Sequence, residues 1–107
     1  MSALVVVTDD SSTDWYANTS WWTGFLELHL EPVVGQVRAV LEKYVSVVGV
    51  DFTQMDDGDP AIVGSWLHGA IGAELESEMS PESRRHLSDL RERLAALVLQ
   101  QSRGQPE

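Results

Sequence analysis

Glu27, His29 and Glu31 come nearest, by type and spacing, to metal chemistry. On a strand, alternate side chains leave one face, and these three would offer nitrogen and oxygen donors to a divalent ion. On a helix His29 turns about 160° away from both glutamates, and the site dissolves. A solvated sheet face produces the same alternation, so no metal is assigned. His68 is the one histidine beside a plausible concavity, because Gly64, Ser65, Gly69 and Gly72 mark a small-residue strip along its segment. A general base there would need a partner within hydrogen-bond reach. His86 lies among arginines and reads as a solvated residue.

Other catalytic patterns fail on spacing. Asp56-Asp57-Gly58-Asp59 has the opening of a calcium loop, but no glutamate stands at the twelfth position. Asp9 and Asp10 follow an apolar run, as metal-holding carboxylates do in phosphoryl transfer, yet adjacent strand residues face opposite ways and no glycine-rich phosphate loop exists. Nucleophile elbow, zinc motif and dinucleotide fingerprint are all missing, and there is no cysteine to supply a thiol, a disulfide or a thiolate ligand. No catalytic residue and no cofactor are assigned. The enzyme reading survives only as a second hypothesis: a small-ligand or metal-dependent domain centred on His29 or His68 with nearby carboxylates.

Charge restricts the partner. Residues 1–82 hold fourteen acidic side chains against Arg38 and Lys43, whereas residues 83–107 hold three acids against five arginines, for a formal net charge of −10. Such a field repels nucleic acid and anionic membrane and attracts a basic protein or a cation. A nucleic-acid reader built on Arg84, Arg85, Arg91, Arg93 and Arg103 fails on total charge. The chain lacks an export signal with a basic start, and no stretch reaches the roughly 18 apolar residues of a membrane span, so a cytoplasmic setting is expected.

Trp15, Tyr16, Trp21, Trp22 and Phe25 are five of eight aromatics, gathered within eleven residues and interleaved with polar side chains. Aromatics carry much of the energy at protein interfaces, although tryptophans also pin loops to small cores. The candidate partner-binding residues are therefore Asp9, Asp10, Asp14, Trp15, Tyr16, Trp21, Trp22, Asp51, Asp56, Asp57 and Asp59. Acids would steer and aromatics would anchor.

The elements that must position these residues follow from periodicity. Ala3–Thr8 is β-branched and short, a buried strand. Over 25–31 the alternation of Leu26, Leu28 and Leu30 with Glu27, His29 and Glu31 predicts a second strand, against a helical rival over 21–30 that groups Trp22, Phe25, Leu26 and Leu30. Residues 32–47 read as an amphipathic helix opened by Pro32 and closed by Gly49, with Val33, Val34, Val37, Val40, Leu41, Tyr44, Val45 and Val48 in one apolar arc. A third strand is placed near 47–53. Residues 60–79 and 81–101 form a helical hairpin, begun by Pro60 and by Ser80-Pro81, with Leu87, Leu90, Leu94 and Leu97 as its seam. The glycine strip implies close approach of another backbone.

The expected architecture is α+β: a small helix-rich single domain over 1–101 with short N-terminal strands, an amphipathic helix and a C-terminal helical hairpin, then a disordered tail at 102–107. In physical type, by size, acidity and aromatic loop, the chain resembles small bacterial immunity proteins and other inhibitors of basic nucleases or toxins. That resemblance implies an acidic interaction module that binds and neutralises or regulates a basic protein.

Overall fold

The computed structural model describes residues 2–8 and 14–103, with backbone alone for 98–103. Among the described residues it is an α+β fold with a three-stranded sheet and four α-helices. Contacts divide the chain into two compact units, Met1–Asp56 and Asp57–Glu107.

In the first unit, β1 (Ser2–Val6) is the central strand. It pairs antiparallel with β2 (Trp15–Asn18), Val5 opposite Trp15, and parallel with β3 (Gly49–Asp51), Leu4 opposite Gly49. Pleating sends Ala3, Val5 and Val7 into the core. Between β2 and β3 run α1 (Thr19–His29) and α2 (Gly35–Tyr44). A short 3-10 turn, Phe52–Gln54, closes the unit and buries Phe52.

The strand expected over 25–31 is instead the second half of α1. The helix begins where the Asn18 side chain accepts a hydrogen bond from the Ser20 amide at 2.8 Å, satisfying a donor the first turn would leave open. Trp22, Phe25 and Leu26 then fall on one buried face at the three- and four-residue spacing of a helix. Leu28, which the strand would have packed beside Leu26 and Leu30, is 64% exposed. A helix lets the large rings meet the core together, and that outweighs the alternation.

The amphipathic helix is also shorter than 32–47. Pro32 lies in the turn after α1, and α2 starts at Gly35, whose φ of 77° is a left-handed value that glycine adopts without strain. Arg38 fastens this junction, its Nη1 donating to the carbonyls of Leu30, Glu31 and Val33 at 2.9, 3.1 and 3.3 Å. α2 ends at Tyr44, and Gly49 belongs to β3 instead of terminating a helix. At Gly49 φ is 128°, and a Cβ there would stand 1.9 Å from the Leu4 carbonyl oxygen. Only glycine fits where β3 docks on β1.

The second unit is the expected hairpin, α3 (Asp59–Glu74) against α4 (Pro81–Arg103). Val63, Leu67, Ala70 and Ile71 of α3 and Leu87, Leu90 and Leu94 of α4 are buried. Gly58, at φ 88°, precedes α3, and Pro60 occupies its first turn, where a missing amide hydrogen costs nothing. α3 stops at Glu74, short of 79, and Arg84 binds the carbonyls of Leu75 and Ser77 at 2.6 and 3.1 Å. Ser80 caps α4 as expected, its hydroxyl accepting from the Ser83 amide at 3.1 Å. The glycine strip does not behave as a single seam. Gly64 is buried, a side chain at Gly69 would meet open space, and Gly72 faces the Arg91 guanidinium.

Candidate interaction surface

The aromatic cluster is a stacked ladder, most of it internal. Trp15 and Trp22 are buried, at 2% and 0% exposure, so their rings belong to the core and leave the set of surface anchors. Trp21, half-buried, meets Trp15 edge-on at 6.1 Å and stacks on Phe25 at 5.1 Å. Phe25 also stacks on Trp22 at 5.5 Å and meets the His29 ring at 4.7 Å. Such offset and edge contacts add to the burial of the rings themselves. The Trp22 indole N–H donates to the Ser46 carbonyl at 2.7 Å, so its polar edge is satisfied inside the fold. Tyr16, on the outer strand β2, keeps 54% of its surface exposed.

His29 is therefore the last rung of the ladder, in the final turn of α1. Glu27 lies on another side of this helix from it, Glu31 falls in the turn beyond the helix end, and among the described residues no three His, Asp or Glu side chains gather to hold a metal ion. The candidate metal face over 27–31 depended on the strand and goes with it.

The acidic residues meet different fates. Asp51 accepts from the Thr53 amide at 2.9 Å and the Thr53 hydroxyl at 2.5 Å, capping the 3-10 turn, which ties it to local structure. Asp56 binds Lys43 at 3.1 Å and lies 3.5 Å from the Tyr44 hydroxyl, which in turn accepts from the Asp56 amide at 3.3 Å. The Asp56 hydrogen bond, then that to Tyr44, holds the Lys43 ammonium above its usual pKa. The pair is solvent-exposed and worth little in stability, but it removes part of the Asp56 field. Asp14 is half-buried, Asp57 is exposed, and Asp59 sits in the first turn of α3, where the helix dipole favours it. Asp9 and Asp10, like the tail beyond Arg103, lie outside the described residues.

Sequence reasoning missed the exposed apolar side chains. Val34, Val37 and Val48, assigned to a core-facing arc, are 79%, 43% and 67% exposed, and Val47 and Leu28 are also open. Of α2 only Leu41 is buried. Val47 and Val48 form the tip of a turn closed by reciprocal backbone hydrogen bonds of 3.0 Å between Ser46 and Gly49. Exposed carboxylates accompany them along the chain: Glu27, Glu31, Glu42 and Asp56. The available signal was the placement of Pro32 and Gly35 inside the supposed helix and of the β-branched Val47-Val48 doublet at its end.

No family model, no curated protein and no solved structure matches this chain. Among the described residues, no helix is long and apolar enough to cross a membrane.

Proposed function

We propose that the chain is an acidic protein-interaction module that docks on a basic protein partner and thereby neutralises or regulates it. The observation that carries this reading is the run of exposed apolar side chains in the Met1–Asp56 unit, Leu28, Val34, Val37, Val47 and Val48, set among the exposed carboxylates Glu27, Glu31, Glu42 and Asp56. Exposed valines offer surface that gains by leaving water, and Glu27 and Glu31 need a cationic partner to be covered without loss, whereas Glu42 and Asp56 already pair with Arg38 and Lys43. With net charge −10, the long-range field favours encounter with a basic surface. Tyr16 and the exposed part of Trp21 supply the aromatic contribution that the buried Trp15 and Trp22 do not.

The test is capture of the partner from the native host, followed by kinetics with the purified pair. Association should slow steeply as salt rises past about 0.15 M, where the screening length is roughly 8 Å, while dissociation changes less. A salt-independent on-rate, with affinity unmoved by Val34→Asp and Val37→Asp, would refute the reading.

A further inference from the structure

Helix α3 is apolar or small-sided almost all the way round. Between Asp59 at its first position and Glu74 at its last it holds no Asp, Glu, Lys or Arg, in a chain whose net charge is −10. A helix of that composition is expected to be covered on more than one side. One side is covered within the hairpin, where Val63, Leu67, Ala70 and Ile71 are buried. Another is open. Ile62, Trp66, Gly69 and Ala73 follow one another at intervals of four, three and four residues, and so fall within about 60° of arc. Ile62 is 37% exposed, Gly69 and Ala73 are exposed, and Trp66 is half-buried.

Gly69 gives this face its shape. A glycine inside a helix costs about 1 kcal/mol relative to alanine, so its small size calls for a use. Gly64 is buried, and at Gly72 the Arg91 guanidinium takes the space a side chain would fill. Around Gly69 nothing lies within 4 Å, and no described residue of its own chain uses the clearance. The face therefore carries a large ring at Trp66 and, one turn on, a notch.

A projection and a gap on one surface are self-complementary, which is what a two-fold contact between identical chains requires. The absence of charge suits the same occupant. Two copies at −10 repel one another and can meet closely only where neither presents a carboxylate, whereas a basic protein would find nothing here to pair with.

We propose that the Ile62, Trp66, Gly69 and Ala73 face of α3 is a self-association surface, on which a second copy of this chain packs its own α3 antiparallel. With the two-fold axis beside Gly69, Trp66 of each copy lies over Ala73 of the other. The glycine lets the helix axes come nearer than the usual spacing of roughly 8–10 Å. A contact of one helix pair is small and belongs with weak, transient interfaces. The surface lies within the Asp57–Glu107 unit and does not depend on docking of a basic protein by the first unit.

Sedimentation equilibrium of the full chain, from micromolar to millimolar concentration and at several sodium chloride concentrations, tests this. A monomer–dimer equilibrium should appear and tighten as salt rises, because screening weakens the repulsion between like-charged copies. Docking of a basic partner loosens under the same change, so either reading can fail without the other. Gly69→Leu fills the notch and should weaken the dimer about tenfold or more, while a melting temperature at or above the parent's in dilute protein shows that the fold is intact. Ala73→Glu places a carboxylate in the contact and should act the same way. Monomers at every concentration and salt, a dimer that loosens as salt rises, or a dimer undiminished in both variants would each overturn the proposal.

Discussion

The Trp22 indole nitrogen donates to the Ser46 backbone oxygen at 2.7 Å, joining the middle of α1 to the turn that leads into β3. This bond fixes the Val47-Val48 tip relative to the aromatic ladder, and it gives the buried indole its only polar requirement. Packing and hydrogen bonding can be separated at this ring.

Trp22→Phe keeps a ring to stack on Phe25 but leaves the Ser46 carbonyl without its donor, and should cost about 1–2 kcal/mol. Trp22→Ala removes the fully buried ring and should cost about 3–5 kcal/mol. Urea unfolding followed by circular dichroism measures both. Equal losses in the two variants would show that the hydrogen bond, and not the packing, dominates.

Gly49 and Gly69 should respond in opposite directions. Gly49→Ala places a Cβ inside the Leu4 carbonyl and forces β3 away from β1, so a loss of several kcal/mol or failure to fold is expected. A side chain at Gly69 meets nothing within 4 Å, and Gly69→Ala should raise stability by up to about 1 kcal/mol through helix propensity. Melting temperatures of the two variants check this directly.

His68 makes stability depend on pH in a stated direction. Desolvation first, then the charge of Arg91, depress its folded pKa below 6.5. Between the two pKa values the unfolded chain binds more protons than the folded one, so stability falls as pH drops through 6.5 and levels off below the folded pKa. His68→Gln should flatten this part of the profile. A stability curve unchanged by that substitution would contradict the assignment.

The interaction reading separates charge from contact. Reversing Glu27 and Glu31 to lysine should chiefly slow association with a basic partner, whereas Val34→Asp and Val37→Asp should chiefly hasten dissociation. None of these exposed positions should lower the melting temperature appreciably. Stopped-flow or surface-based kinetics with the purified partner distinguish the two classes.

How far the fold was legible depended on whether a pattern had one physical explanation. Pro60, Ser80-Pro81 and the leucine seam of α4 admit little besides a helical hairpin, and both helices stand where those residues place them. The β-branched run over 3–8 and the Val50–Phe52 neighbourhood likewise yielded β1 and β3. Residues 25–31 fit two periods, since Leu26, Leu28 and Leu30 alternate while Trp22, Phe25 and Leu26 share a helical face. Burial of the rings decided between them, and that is a tertiary effect. The valine arc of α2 shows the complementary limit: periodicity identifies an apolar face but does not say whether anything in the same chain covers it. For the candidate surface, the acids were visible by composition, while the exchange of Trp15 and Trp22 for exposed valines depended on which side chains the core had room to take.

The position of β1 also has a bearing on the order of events during synthesis. Its parallel neighbour β3 joins it only after β2, α1 and α2 have been traversed, so β1 must wait through most of its unit for half of its ladder. Closing such a span costs chain entropy before any contact repays it, whereas the α3–α4 hairpin is built from neighbours in sequence. Strand β1, whose sequence is apolar and β-branched, therefore leaves the ribosome as an unfinished edge. The exposed carboxylates that follow it along the nascent chain keep like molecules apart during that interval, a service performed before the native structure exists.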